Sequence, residues 1–96
     1  MNNATAFACP KVTEFKRPGD VLPTKAIQFT DDNKDEVLKF GPENTIVMGD
    51  KLYVEVTPEH FGWLEKGYML VKEGRCCYSI WSVKNFLNVH QLIPTA

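Results

Sequence analysis

Apolar and polar positions change period several times along this chain, and each change marks an element. Lys11 to Arg17 (KVTEFKR) has strand character, and Pro18-Gly19-Asp20 ends it as a turn. Thr24 to Phe29 (TKAIQF) is a second extended run with Ile27 and Phe29 on one face. The period then lengthens. Val37, Leu38 and Phe40 form the apolar face of a helix expected over about residues 31–40. Thr30 is its expected cap, and Asp31, Asp32, Asp35 and Glu36 set negative charge at the positive end of the helix dipole. Gly41 is the expected left-handed terminator, and Pro42 blocks continuation.

Strand alternation returns in Thr45–Met48 and Lys51–Val56 around Gly49-Asp50, a two-residue hairpin turn. That register sets Val47 against Leu52 and Thr45 against Val54 on one side, and leaves Ile46, Met48, Lys51 and Tyr53 on the other. Thr57-Pro58-Glu59 reads as a helix start, so one or two helical turns are expected to carry Phe61, Trp63 and Leu64. A second hairpin is expected from Tyr68–Lys72 and Arg75–Ile80. A loop longer than two residues would keep Lys72 from facing Arg75. Ser82 then caps a short helix with Val83, Phe86, Leu87 and His90. The order of elements implies an α+β fold: a small, mainly antiparallel sheet built from hairpins, with two or three short helices packed on one face.

Ninety-six residues make one domain, 1–96, with 1–10 as a loose arm or edge segment. Eleven basic residues against twelve acidic leave a net charge of −1, which gives neither the basic excess of a nucleic-acid binder nor the acidic excess of a DNA mimic. Three cysteines do not pair into a secreted framework. The opening residues show no secretory signal, and no apolar run reaches the ~20 residues of a membrane span. A cytosolic protein with reduced thiols is expected.

The chemistry-bearing residues form no constellation. Cys76 and Cys77 are adjacent, so in a strand they point to opposite faces, and Cys9, His60 and His90 are scattered singly. The acidic stretch 31–36 lacks the spacing and the glycine of a calcium loop. No catalytic residue, metal site or cofactor is expected, and an enzyme is not. The aromatic residues are numerous for so small a core, and any that are exposed would anchor a partner. Tyr53 is the best-placed of these. His60, Trp63, Arg75 and Trp81 complete the set of candidate partner-binding residues.

The segment PTKAIQFTDDNKDEVLKF resembles the opening of short, mostly uncharacterised proteins of tailed phages and prophages, in which a proline precedes a strand ending in "KAIQ" and an acidic helix. KGYMLVKEGRCCY is similar to their second half, whose usual form, "GDYIVKG-x-GEFY…KPDIFE", gives the group its description as PGDYG-like. The similarity covers roughly residues 22–92. Here Lys66-Gly67-Tyr68 replaces Gly-Asp-Tyr, Arg75-Cys76-Cys77-Tyr78 replaces the Gly-Glu-Phe-Tyr stretch, and residues 82–86 lack the usual proline. The resemblance implies an accessory protein in the cytoplasm of a bacterial host. Such a protein would bind a host or phage protein, and modulation or inhibition of a host or defence protein is the expected role. The alternative is a small-molecule or nucleotide-binding module, oligomeric in one form, with an aromatic-lined pocket. A homodimer through a sheet edge or exposed aromatics fits either reading.

Overall fold

The computed structural model describes residues 7–74 and 77–92. Within them the chain runs β1 (Thr13–Lys16), β2 (Thr24–Gln28), α1 (Lys34–Phe40), β3 (Thr45–Met48), β4 (Lys51–Thr57), β5 (His60–Leu64), β6 (Met69–Lys72), β7 (Tyr78–Trp81), α2 (Val83–Val89) and β8 (Gln91–Leu92). This is an α+β fold with little helix, and every strand pairing is antiparallel.

The strands form two sheets where the sequence pattern suggested one. Sheet A has the order β7-β6-β2-β1-β8, and sheet B is the meander β3-β4-β5. Sheet B is an excursion between β2 and β6, which are neighbours in sheet A. The excursion leaves and re-enters at one point, where the Phe29 amide donates to the Tyr68 carbonyl at 3.0 Å and the Gly67 amide donates to the Phe29 carbonyl at 2.7 Å.

Alternation along β2 and β6 divides the apolar residues of sheet A between two cores. On one face Ile27 and Leu70 meet Leu52, Val54 and Leu64 of sheet B, with Val37 of α1 and Tyr78. On the opposite face Ala26, Met69 and Val71 meet Phe15, Cys9 and Phe86 of α2. Phe86 packs edge-on against Phe15 with ring centroids 4.7 Å apart. The two helices therefore cover opposite faces of sheet A, correcting the expectation that they share one. A strand buried on both sides needs apolar residues at successive positions, and Met69-Leu70-Val71 supplies them.

Three local expectations also change. α1 begins after Asn33, not Thr30, because the Thr30 hydroxyl accepts from the Asp32 amide at 3.4 Å in a turn. Gly41 is extended (φ −77°, ψ −178°), so left-handedness does not select it; a side chain there would lie 3.2 Å from Leu70 and from the Val37 carbonyl. Residues 57–64 form a hairpin and strand β5 instead of a helix. Pro58-Glu59 is its turn, with Glu59 at φ 69°, and the Glu59 amide donates to the Glu55 carboxylate at 2.8 Å. That bond supports a positive φ at a residue that disfavours one, and the chain reverses where a helix was expected to start.

Three further local expectations hold: the β3–β4 register, the longer β6–β7 loop and the Ser82 cap. The β3–β4 register is as read, with Val47 opposite Leu52 and Thr45 opposite Val54. Gly49 alone supplies a positive φ in the turn, 65°, the pattern of type II′. The loop between β6 and β7 is longer than two residues, since Lys72 pairs with Tyr78. Ser82 caps α2 by accepting from the Asn85 amide at 3.2 Å. Leu87, expected on the apolar face of that helix, is exposed.

Candidate functional site

Among the described residues, the outer face of sheet B carries the largest aromatic assembly at the surface. Its origin is the alternation of two paired strands. Leu52 and Val54 point into the core from β4, so Lys51, Tyr53 and Glu55 point out. On β5, Leu64 points inward and Gly62 lies against Ile80, so Phe61 and Trp63 point out. The register sets Ile46, Tyr53 and Trp63 in one row across the three strands, with Glu55 opposite Phe61 in the next.

Tyr53 is the centre of this group. Its ring stacks on Phe61 at 4.8 Å with the planes 15° apart, and meets Trp63 at 4.6 Å with the planes tilted by 42°. Phe61 and Trp63 are exposed, as are Ile46 and Met48 on the adjoining strand, and Tyr53 between its two neighbours is half-buried. Aromatic pairs at these separations contribute roughly 0.5–1.5 kcal/mol beyond burial, so the rings form a pre-ordered ridge.

Charge surrounds the ridge without crossing it. Lys51 holds its ammonium 5.9 Å from the Trp63 ring centroid and 4.0 Å from a Glu65 carboxylate oxygen. Glu55 accepts from the Glu59 amide at 2.8 Å and from the Asn44 side-chain amide at 2.7 Å. The Glu59 amide above all, and then Asn44, hold its carboxyl below the ordinary carboxylate range, so it is anionic near neutrality. His60 is exposed at the end of the hairpin, where its Nδ1 lies 3.1 Å from the Pro58 carbonyl and in that tautomer donates to it. An apolar centre with a charged rim is the anatomy of a protein-binding patch.

The structure thus brings three of the five candidate residues to one surface: Tyr53, Trp63 and, at its margin, His60. Trp81 lies elsewhere. It is half-buried on the α2 face of sheet A, edge-on to Phe86 at 6.3 Å and to His90 at 5.2 Å, and its indole N–H donates to the Ser79 hydroxyl at 2.7 Å. It belongs to the second core. Arg75 and Cys76 lie outside the described residues. Phe61 joins the site although sequence reading placed it in a helix; its signal is the strand alternation His60-Phe61-Gly62-Trp63-Leu64 after a turn.

Elsewhere, Arg17, Glu73 and Ser79 are committed to structure. Arg17 donates to Glu73 at 2.7 Å and to Asp20 at 3.2 Å, and the Ser79 hydroxyl donates to Glu73 at 2.6 Å. Burial pushes the Glu73 carboxyl up, but the Ser79 hydroxyl and the Arg17 guanidinium together outweigh it and hold it below the ordinary range. His90 is 2% exposed and stacks on Phe86 at 4.1 Å, with Nδ1 3.0 Å from the Phe86 carbonyl at the end of α2. Its Nε2 is buried with no hydrogen-bond partner among the described residues. Cys9 is buried, and desolvation raises its thiol pKa despite the hydrogen bonds that lower it, opposite to the shift that activates a nucleophile. Among the described residues no three His, Cys, Asp or Glu side chains are grouped to hold a metal ion, and no helix is long and apolar enough to cross a membrane.

Comparison with family models, with curated protein sequences and with solved structures finds no match to this chain.

Proposed function

We propose that this chain is a non-enzymatic accessory protein that acts by docking another protein on the outer face of sheet B. The observation that carries this reading is the ridge of Phe61, Tyr53 and Trp63, exposed beside Ile46 and Met48 and framed by Lys51, Glu55 and Glu65. Tyrosine and tryptophan dominate binding hot spots because they offer large area with few rotors to immobilise. A pre-stacked ridge lowers that entropic cost further. The resemblance to short tailed-phage proteins sets the context of the proposal: a phage protein in the host cytoplasm whose target is a host, defence or phage protein.

Parallel capture from host lysate with the wild type and Trp63→Ala as bait tests this. The expected result is a partner retained by the wild type and lost by the variant, with about 30-fold or greater weakening, since a hot spot is worth at least ~2 kcal/mol. Repeated failure to recover a partner, or equal recovery by both baits, counts against the reading.

A second reading, a planar anionic ligand stacked on Trp63 beside Lys51, draws on the position of the ammonium near that ring. It requires thermal stabilisation of the wild type by a nucleotide, about 2.7 kcal/mol at 100 times its dissociation constant.

A further inference from the structure

Strand β3 is a sheet edge, and nothing among the described residues protects it. Thr45–Met48 carries no charge, proline or glycine, and no bulge interrupts its pairing with β4. Ile46, Val47 and Met48 are 49%, 45% and 50% exposed, although alternation points Val47 to the face opposite the other two. The strand therefore overhangs the sandwich and is covered on neither face. A strand solvated on both sides is ordinarily polar on at least one, and this one is apolar on both.

The backbone at this edge is also open. The two-residue turn makes Met48 and Lys51 the hydrogen-bonded closing pair, and antiparallel alternation then turns the amides and carbonyls of Val47 and Thr45 outward. Among the described residues no backbone bond from outside sheet B reaches them.

We propose that the free edge of β3 is a homodimer interface, in which Val47 of each copy pairs antiparallel with Val47 of the other. Two copies related by a two-fold axis perpendicular to a shared sheet keep the same face outward, so only registers pairing residues of like parity are allowed. Setting Val47 on the axis makes it a hydrogen-bonded pair and places Ile46 opposite Met48 twice on the outer face. An uncharged edge meets itself without like-charge repulsion, whereas most partners would have to be selected for a neutral apolar strand. The pairing covers the three overhanging side chains and joins the two copies of sheet B into one continuous sheet. It brings both Phe61–Tyr53–Trp63 ridges to the same face, an arrangement that presents two docking surfaces to a divalent partner.

An edge of four residues is smaller than the ~800 Å² per partner of a standard interface, so weak association is expected and the test spans about 1 µM to about 1 mM. In sedimentation velocity over that range, the wild type should move from the mass of one chain to that of two. Val47→Pro removes an outward amide that the fold does not use, and Ile46→Lys places like charges across the axis. Each should weaken association at least 10-fold while leaving the circular dichroism spectrum unchanged. If the proline variant misfolds, the lysine variant decides. A wild type that stays at one chain throughout, or a folded Ile46→Lys that associates as the wild type does, overturns the dimer. A monomeric wild type that still loses its partner through Trp63→Ala overturns the dimer alone and leaves the docking surface standing.

Discussion

Asn33 shows how much one polar side chain can hold together. It is buried, its carbonyl accepts from the Thr30 amide at 2.7 Å, and its amide donates to the carbonyls of Gln28 at 2.7 Å and Pro10 at 2.9 Å. Gln28 repeats the pattern, accepting from the Cys9 amide at 2.9 Å and donating to the Gly67 carbonyl at 3.1 Å. These two amides fasten the N-terminal segment and the start of α1 to sheet A. Asn33→Ala is expected to cost about 2–4 kcal/mol in urea unfolding, because three backbone groups lose their partner and the Gln28 carbonyl among them is buried. Glu59 is the opposite case. At φ 69° it carries a conformational cost of about 1 kcal/mol, and among the described residues its side chain makes no hydrogen bond that supports the turn. Glu59→Gly is expected to stabilise by about 0.5 kcal/mol, which scanning calorimetry would read as a rise of about 2–4 °C. Neither role was legible in the sequence. A buried amide and an exposed one look alike until the chain has folded around them, and Pro58-Glu59 satisfies the rules for a helix start as well as those for a turn.

At the scale of elements, legibility followed how local the deciding interaction is. The β3–β4 hairpin was readable in every register position because Gly49-Asp50 and the alternation of Leu52 and Val54 act over a few residues. The Ser82 cap was readable for the same reason. β5 was not, since its strand state depends on pairing with β4 and on Gly62 letting Ile80 approach, both of which are set by distant chain. That misreading hid Phe61 and left Tyr53 and Trp63 as separate candidates where the fold makes them neighbours. The loop joining β6 to β7 depends on long-range contacts too, through the Arg17–Glu73–Ser79 chain. Glu73 is held below the unfolded carboxylate value of about 4.3, so its ionised form favours the folded state. This contribution is complete above that value and is lost as pH falls through the lower, folded value. Thermal melts from about pH 6 down to about pH 2.5 should show the wild type losing stability through this window, and Glu73→Gln should be less stable at pH 6 and less pH-sensitive below it.

The whole molecule is three layers deep, with sheet B and α1 on one side of sheet A and α2 on the other. The sequence pattern announced the fold class but could not announce the division into two sheets, because hairpins that pair side by side and hairpins that stack have the same alternation. What separates them is whether the central strands are apolar on both faces, and Met69-Leu70-Val71 is the short stretch that records it. The layering separates the surface of sheet B from the second core by a full sheet. Trp63→Ala is therefore expected to cost about 1 kcal/mol or less in stability while removing docking, a contrast that thermal melts and binding measured on one preparation would establish.

The excursion between β2 and β6 has a kinetic consequence. All pairings within sheet B join residues close in sequence, whereas β8 pairs with β1 across nearly the whole chain. Closing short loops before long ones is entropically cheaper, so the expected order begins with the β3-β4-β5 meander and ends with the β1–β8 seam. During synthesis the ridge-bearing strands emerge and can pair while the residues that complete sheet A are still within the ribosome. In that interval the inner residues Leu52, Val54 and Leu64 have no opposing layer, and the bare β3 edge is at its most adhesive. A chain of this design is most exposed to mispairing with its siblings in the interval when sheet B has paired and sheet A has not yet closed over it.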